Sequence, residues 1–88
     1  MKIKQGFVMR DVAGQAVAIA TGNTSKSFKG MIKLNATGAA VWRGIEAGLS
    51  EKDIAQNIAA TYPTSLEQAQ TDTHAFICQM RDAGLLEE

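Results

Sequence analysis

The sequence has few of the residues from which disulfides and metal sites are built. Its 88 residues include one cysteine, one histidine and one proline. A single cysteine excludes a disulfide within the chain and favours a reducing, cytoplasmic location. No apolar run approaches the roughly 20 residues that span a bilayer, so no membrane association is expected. The first residues lack the apolar core of a signal peptide, which predicts mature sequence at the start.

The histidine and the cysteine, His74 and Cys78, have a spacing that puts them on one face of a helix. Two ligands fall short of the four that a structural zinc site needs, so we expect no metal and no cofactor. A Cys/His nucleophilic pair would need an orienting third group and an oxyanion loop, and neither is recognisable. The other interpretation is that His74 faces solvent or a groove while Cys78 is an apolar filler. No glycine-rich phosphate loop follows a strand, so we predict a binding protein without enzymatic activity.

The length predicts one domain, residues 1–88. The net charge is zero, but residues 1–35 carry six Lys or Arg against one carboxylate (+5) and residues 36–88 carry three against eight (−5). This split indicates either a basic face for an acidic partner or a dipolar surface without a role.

Three strands are predicted in the first half of the chain. Residues 6–12 and 15–20 favour a hairpin, and Gly14 in the turn between them can adopt a positive φ. A third strand over Ser27–Leu34 alternates between two faces and is expected at an edge of an antiparallel sheet. One face carries Phe28, Ile32 and Leu34, and the other carries Lys29, Met31 and Lys33.

Three helices are predicted in the second half. Asn35, Ser50 and Ser65 are the expected N-caps, Pro63 follows the second helix, and Gly84 ends the third. Apolar positions at three- and four-residue spacing give the expected core stripes: Gly38, Val41, Trp42, Ile45 and Leu49; Ile54, Ala55, Ile58, Ala59 and Tyr62; Leu66, Ala69, Thr73, Phe76, Ile77 and Met80. Leu85 and Leu86 are expected to fold back and pack. The fold class is therefore α+β, a small three-stranded antiparallel sheet followed by three α-helices, in a winged helix-turn-helix-like arrangement.

The run GMIKLNATGAAVW, Gly30–Trp42, resembles the central motif of the PqqD-like family of pyrroloquinoline quinone biosynthesis. That motif is a strand with a glycine, then Leu-Asn-x-Thr-Gly-x-x-(aliphatic)-Trp. The matching residues are Leu34, Asn35, Thr37, Gly38, Val41 and Trp42. The opening hairpin and the end of the last helix also resemble the family.

The resemblance implies a small peptide-binding module, a recognition element for ribosomally made and post-translationally modified peptides. Such a module acts as a peptide chaperone: it binds the leader of a precursor peptide and presents it to a modifying enzyme of the radical S-adenosylmethionine type. The leader adds as a further strand to the edge of the third strand, in a groove beside the last helix. An exposed edge strand independently favours binding by strand addition.

Together, the resemblance and the exposed edge strand predict peptide-binding residues on the third strand and the last helix. They are Phe28, Lys29, Met31, Ile32, Lys33, His74, Ile77, Cys78 and Arg81. Lys29 and Lys33 either attract carboxylates of the peptide or discourage aggregation at the edge. Ile77 is either a contact at the margin of the groove or a residue of the core.

The alternative function is that of a winged-helix regulator that binds nucleic acid. It would need a basic recognition helix, yet the third helix carries Arg81 against Glu67, Asp72 and Asp82, and phosphates would be repelled. We therefore expect no nucleic-acid partner. An exposed edge also leaves a homodimer or a domain swap open.

Overall fold

A computed structural model describes residues 1–21 and 31–87, so the predictions for Phe28 and Lys29 lie outside the described residues. Along these ranges the elements are β1 (Lys2–Ile3), β2 (Phe7–Val12), β3 (Gln15–Ala20), β4 (Met31–Leu34), α1 (Ala36–Glu46), α2 (Glu51–Thr61), α3 (Leu66–Asp82) and β5 (Leu86–Glu87). The prediction of an antiparallel sheet followed by three helices is confirmed.

The hairpin of β2 and β3 forms where the sequence predicts it. The strands pair from Phe7 opposite Ala20 to Val12 opposite Gln15. The two turn residues both adopt positive φ, 54° at Ala13 and 81° at Gly14. Two left-handed residues give the turn twist that suits a tight antiparallel hairpin.

The strand β4 lies at an edge of the larger sheet. It pairs antiparallel with β3, with Leu34 opposite Ala16 and Met31 opposite Ile19. The strand order is β2-β3-β4, so the outer side of β4 has no neighbouring strand within residues 1–21 and 31–87. Its backbone N–H and C=O groups on that side are available to another chain.

The three helices begin at the expected caps. The Oδ1 atom of Asn35 accepts a hydrogen bond from the Gly38 amide at 2.7 Å. The hydroxyl groups of Ser50 and Ser65 do the same for the amides of Asp53 and Gln68. Because Asn35 directly follows Leu34, β4 passes into α1 without a loop.

Two short strands at the ends of the chain were not predicted. Within the described ranges, β1 and β5 form a separate antiparallel pair, with Ile3 opposite Leu86. The Lys4 amide also donates to the Leu85 carbonyl at 2.8 Å. Strands of two residues carry no measurable period, so sequence reasoning could not detect them.

The core lies between the larger sheet and the helices, with the fully buried Trp42 of α1 inside it. The helix stripes predicted this core with one error, because Leu66 is 44% exposed. Leu66 is the first residue of α3, at the end of the helix where few neighbours can cover it. None of the helices in the described ranges is long and apolar enough to cross a membrane.

Candidate functional site

A groove lies beside the free edge of β4, between that strand and α3. Along β4, Ile32 is half-buried, Lys33 is exposed and Leu34 is 2% exposed. This alternation confirms the predicted period of two and turns Ile32 and Leu34 towards the helices. Lys33 lies on the opposite face of the sheet.

One end of the groove is apolar. It is a cavity of about 210 Å³ lined by Ile32, Leu34, Phe76, Gln79, Met80, Ala83 and Leu85. Six of these seven side chains are hydrocarbon or thioether in character, so this end suits an apolar side chain of a ligand.

The other end of the groove is polar. It is a cavity of about 240 Å³ lined by Asn35, Thr37, Gly38, Asp72, Ala75, Phe76 and Gln79. The Asp72 carboxylate lies on the surface here, and its Oδ1 atom accepts a hydrogen bond from Gln68 Nε2 at 2.8 Å. Phe76 and Gln79 line both cavities, which makes the two ends one continuous surface, the β4–α3 groove.

The helical wall of this groove has a simple sequence basis. Asp72, Phe76, Gln79 and Ala83 follow one another at steps of four, three and four residues, so they share one face of α3. The sequence pattern predicts Phe76 in the core stripe and names none of the other three as a peptide-binding residue. The same spacing is the signal that would have found them, once the side of α3 that faces β4 was known.

The structure places the predicted residues of β4 on both faces of the strand. Ile32 lines the β4–α3 groove, whereas Lys33 is exposed on the other face of the sheet. Met31 belongs to β4 and lies opposite Ile19. A peptide strand beside β4 would pass all three positions.

Three of the predicted residues of α3 lie outside the groove. The Nδ1 atom of His74 lies 3.3 Å from Glu51 Oε1, at the start of α2. The Cys78 sulfur lies 3.6 Å from His74 Nε2, on the same side. At 3.6 residues per turn, His74 and Arg81 project roughly 170° away from the face that contains Phe76 and Gln79. The structure therefore separates His74, Cys78 and Arg81 from the β4–α3 groove.

The fourth predicted residue of α3, Ile77, is 1% exposed and belongs to the hydrophobic core. Of the two interpretations of Ile77, the structure favours the core. Its side chain supports the helix beneath the groove and does not reach the surface.

The sequence did not reveal a third group that could orient the pair of His74 and Cys78. In the structure, Glu51 has that position beside His74. The side chains of His74 and Glu51 are 65% and 46% exposed. Such exposure leaves the imidazole in water, where solvent weakens its interaction with Glu51. No group of three or more His, Cys, Asp or Glu side chains within the described ranges is arranged to hold a metal ion.

Two solved structures share the fold of this chain. TbiB1 in complex with the TbiA(beta) leader peptide superposes with a TM-score of 0.79 at 23% sequence identity, covering 99% of this chain and 95% of that chain. Lasso peptide synthetase B1 complexed with the leader peptide superposes with a TM-score of 0.80 at 17% identity, covering 99% and 96%. A comparison with curated proteins gives no significant match.

The family to which the chain belongs follows from its sequence. The sequence model of the family described as coenzyme PQQ synthesis protein D (PqqD) matches residues 10–86. This range contains the end of β2, all of β3 and β4, and all three helices of the described structure, and so both walls of the β4–α3 groove. The chain belongs to the family of coenzyme PQQ synthesis protein D.

Proposed function

We propose that this protein binds the leader segment of a ribosomally made precursor peptide and presents it to a modifying enzyme, of the radical S-adenosylmethionine type. The observation that carries the proposal is the edge of β4 beside the β4–α3 groove, which pairs with no other strand of the described structure. Family membership supports it, and so do the two structures of the same fold that hold leader peptides.

The binding step is the addition of the leader to β4 as a further strand. The outward backbone groups of Met31–Leu34 supply hydrogen bonds that do not depend on the sequence of the leader. Side chains on one face of the added strand enter the β4–α3 groove, because alternate residues of a strand point the same way. Those contacts supply the specificity.

This role assigns the chemistry to the modifying enzyme and none to this protein. Presentation needs a site that holds the leader while the rest of the precursor extends away from it. The edge of β4 suits this task, because among the described residues no strand pairs with its outer side. No observation in the described structure favours nucleic-acid binding, and the exposed carboxylates of α3 disfavour it.

The proposal is tested with leader peptides methylated on their backbone nitrogens. A strand added to β4 directs the N–H groups of alternate residues towards β4 and the others towards solvent. Methylation of one alternate set is therefore expected to abolish binding, and methylation of the other set to leave the dissociation constant within about threefold. Fluorescence anisotropy of labelled leader peptides from candidate precursors measures both.

A control separates strand addition from other modes of binding. Equal weakening by both methylated sets would contradict strand addition, because it would show that the peptide does not use one edge. Chemical shift changes in the ¹⁵N-labelled protein then locate the contact, and we expect them in Met31–Leu34 and on the Phe76 side of α3. Failure of every unmodified leader to bind would overturn the proposed function.

A further inference from the structure

The two faces of a strand added to β4 would meet opposite charges. On the side of the helices, the β4–α3 groove has the Asp72 carboxylate at its polar end. On the other side, Lys33 of β4 is exposed, and Arg10 of β2 is exposed on the same face. Arg10 and Lys33 both lie opposite Val17 of β3, so the two cations stand in one row across the sheet.

This separation of charge bears on the register of the added strand. Backbone pairing alone does not fix register, and a slip of one residue moves every side chain of the strand to the other face. In a peptide with an acidic and a basic residue at adjacent positions, such a slip would place each charged side chain on the face that the other one had occupied. The acid would face Asp72 and the base would face Lys33, which are both repulsive arrangements.

We infer that the site selects a three-residue charge pattern in the leader, an inference that rests on the proposed function. The pattern is an apolar residue opposite Ile32, an acidic residue opposite Lys33, and a basic residue opposite Leu34. The apolar side chain enters the apolar end of the groove. The basic side chain extends along the groove towards Asn35 and reaches the carboxylate of Asp72.

The surroundings of Asp72 fit this role. Gln68 donates one hydrogen bond to Oδ1 at 2.8 Å, which orients the carboxylate. Asp72 has no ion-pair partner among the charged groups of the described residues. A lysine or arginine of the leader would supply the cation that the described residues do not supply.

The test uses synthetic strand peptides that differ at two positions. One series has the matched pattern, one exchanges the acidic and basic residues, and one has threonine at both positions. Each is made in both chain orders, since the added strand can run parallel or antiparallel to β4. Because each exposed charge pair contributes a few-fold in affinity, we expect the matched peptide to bind about tenfold more tightly than the exchanged peptide at low salt. The threonine peptide should fall between them.

Charge reversal of the protein provides the decisive variant. The double variant Asp72→Lys with Lys33→Glu is expected to prefer the exchanged peptide, because the charge that meets each face of the added strand is then reversed. Asp72→Asn should reduce the preference for the matched peptide by about threefold. Glu67→Gln is the matched control, since Glu67 is an exposed carboxylate on α3 and projects away from the groove, and it should leave the preference unchanged.

The outcomes separate this inference from the proposed function. Equal affinity for the three peptides, with binding that still depends on the β4 edge, would overturn the charge pattern and leave the proposed function standing. A preference that Glu67→Gln reduces as much as Asp72→Asn would overturn the role of Asp72. Absence of binding by every peptide, including the candidate leaders, would overturn both.

Discussion

The aromatic ring of Phe76 lies against Gly38, so that a Cβ atom at position 38 would be 2.7 Å from Phe76 Cε2. Carbon atoms in contact are normally about 3.5–4.0 Å apart. Gly38 therefore allows α1 and α3 to approach at the polar end of the β4–α3 groove. Gly44 plays the same part between α1 and α2, where a Cβ atom would be 2.6 Å from Ile54 Cγ1.

Replacement of either glycine is expected to lower stability, whereas only replacement of Gly38 is expected to weaken peptide binding. Overpacking costs about 1–3 kcal/mol, and alanine regains about 1 kcal/mol of helix propensity. Gly38→Ala and Gly44→Ala should each lower the free energy of unfolding by about 1 kcal/mol in chemical denaturation. Gly38→Ala should also weaken leader binding, since the displaced Phe76 ring lines both ends of the groove. An equal loss of affinity in Gly44→Ala would contradict this assignment.

The N-cap of α1 is expected to contribute measurably to stability. Asn35→Ala removes the acceptor of the 2.7 Å hydrogen bond from the Gly38 amide and should lower the free energy of unfolding by about 1 kcal/mol. Asn35→Asp keeps an acceptor oxygen and adds a negative charge at the helix N-terminus, which is favourable. It should remain close to wild type in urea denaturation. If Asn35→Asp is as unstable as Asn35→Ala, loss of the N-cap hydrogen bond is not the cause of the lower stability.

Much of the fold follows from local signals in the sequence. The turn at Gly14 and the cap residues Asn35, Ser50 and Ser65 fix where the elements begin and end, and each acts through its own backbone geometry or hydrogen bond. The alternation along β4 predicts which of its residues face the helices. These features depend on neighbours within a few positions, so they can be predicted without tertiary contacts.

The groove could not be predicted in the same way. An apolar residue at core spacing, such as Phe76, has the same pattern whether it packs on the core or lines an open cavity. A helix also has two flanks beside its core stripe. Which flank faces β4 depends on how α3 crosses the sheet, and the sequence pattern does not contain that angle. The sequence pattern therefore predicts His74 and Cys78 as groove residues, whereas the structure places them on the flank that faces α2.

The hydroxyl group of Thr73 is expected to cost stability. Thr73 is fully buried, and its Oγ1 atom has no hydrogen-bond partner within the described residues. An unsatisfied buried polar group costs about 1–3 kcal/mol. Thr73→Val replaces the hydroxyl with a methyl group of similar size and should raise the free energy of unfolding by about 1 kcal/mol. Thr73→Ser keeps the hydroxyl and loses the methyl group, so it should lower that energy; a destabilised Thr73→Val would show that the hydroxyl has a partner.

The cluster of Glu51, His74 and Cys78 provides the test of which flank of α3 contacts the leader. These side chains lie on the α2 side of the helix, so His74→Ala and Cys78→Ser should leave leader affinity within about twofold. Phe76→Ala removes a groove contact and should weaken binding about tenfold, which corresponds to about 1.4 kcal/mol. Glu51→Gln should change the free energy of unfolding by less than about 1 kcal/mol, because the pair with His74 is exposed.

Isothermal titration with one leader peptide measures the affinities of wild type and of the His74, Cys78 and Phe76 variants, and circular dichroism confirms that each variant is folded. The comparison between His74→Ala and Phe76→Ala decides the position of the peptide, because the two residues share a helix and differ in the flank they occupy. A loss of affinity in His74→Ala as large as that in Phe76→Ala would place the leader between α2 and α3. In that case the edge of β4 would not be the binding site, and the hydrogen bonds that define strand addition would have to be sought elsewhere in the chain.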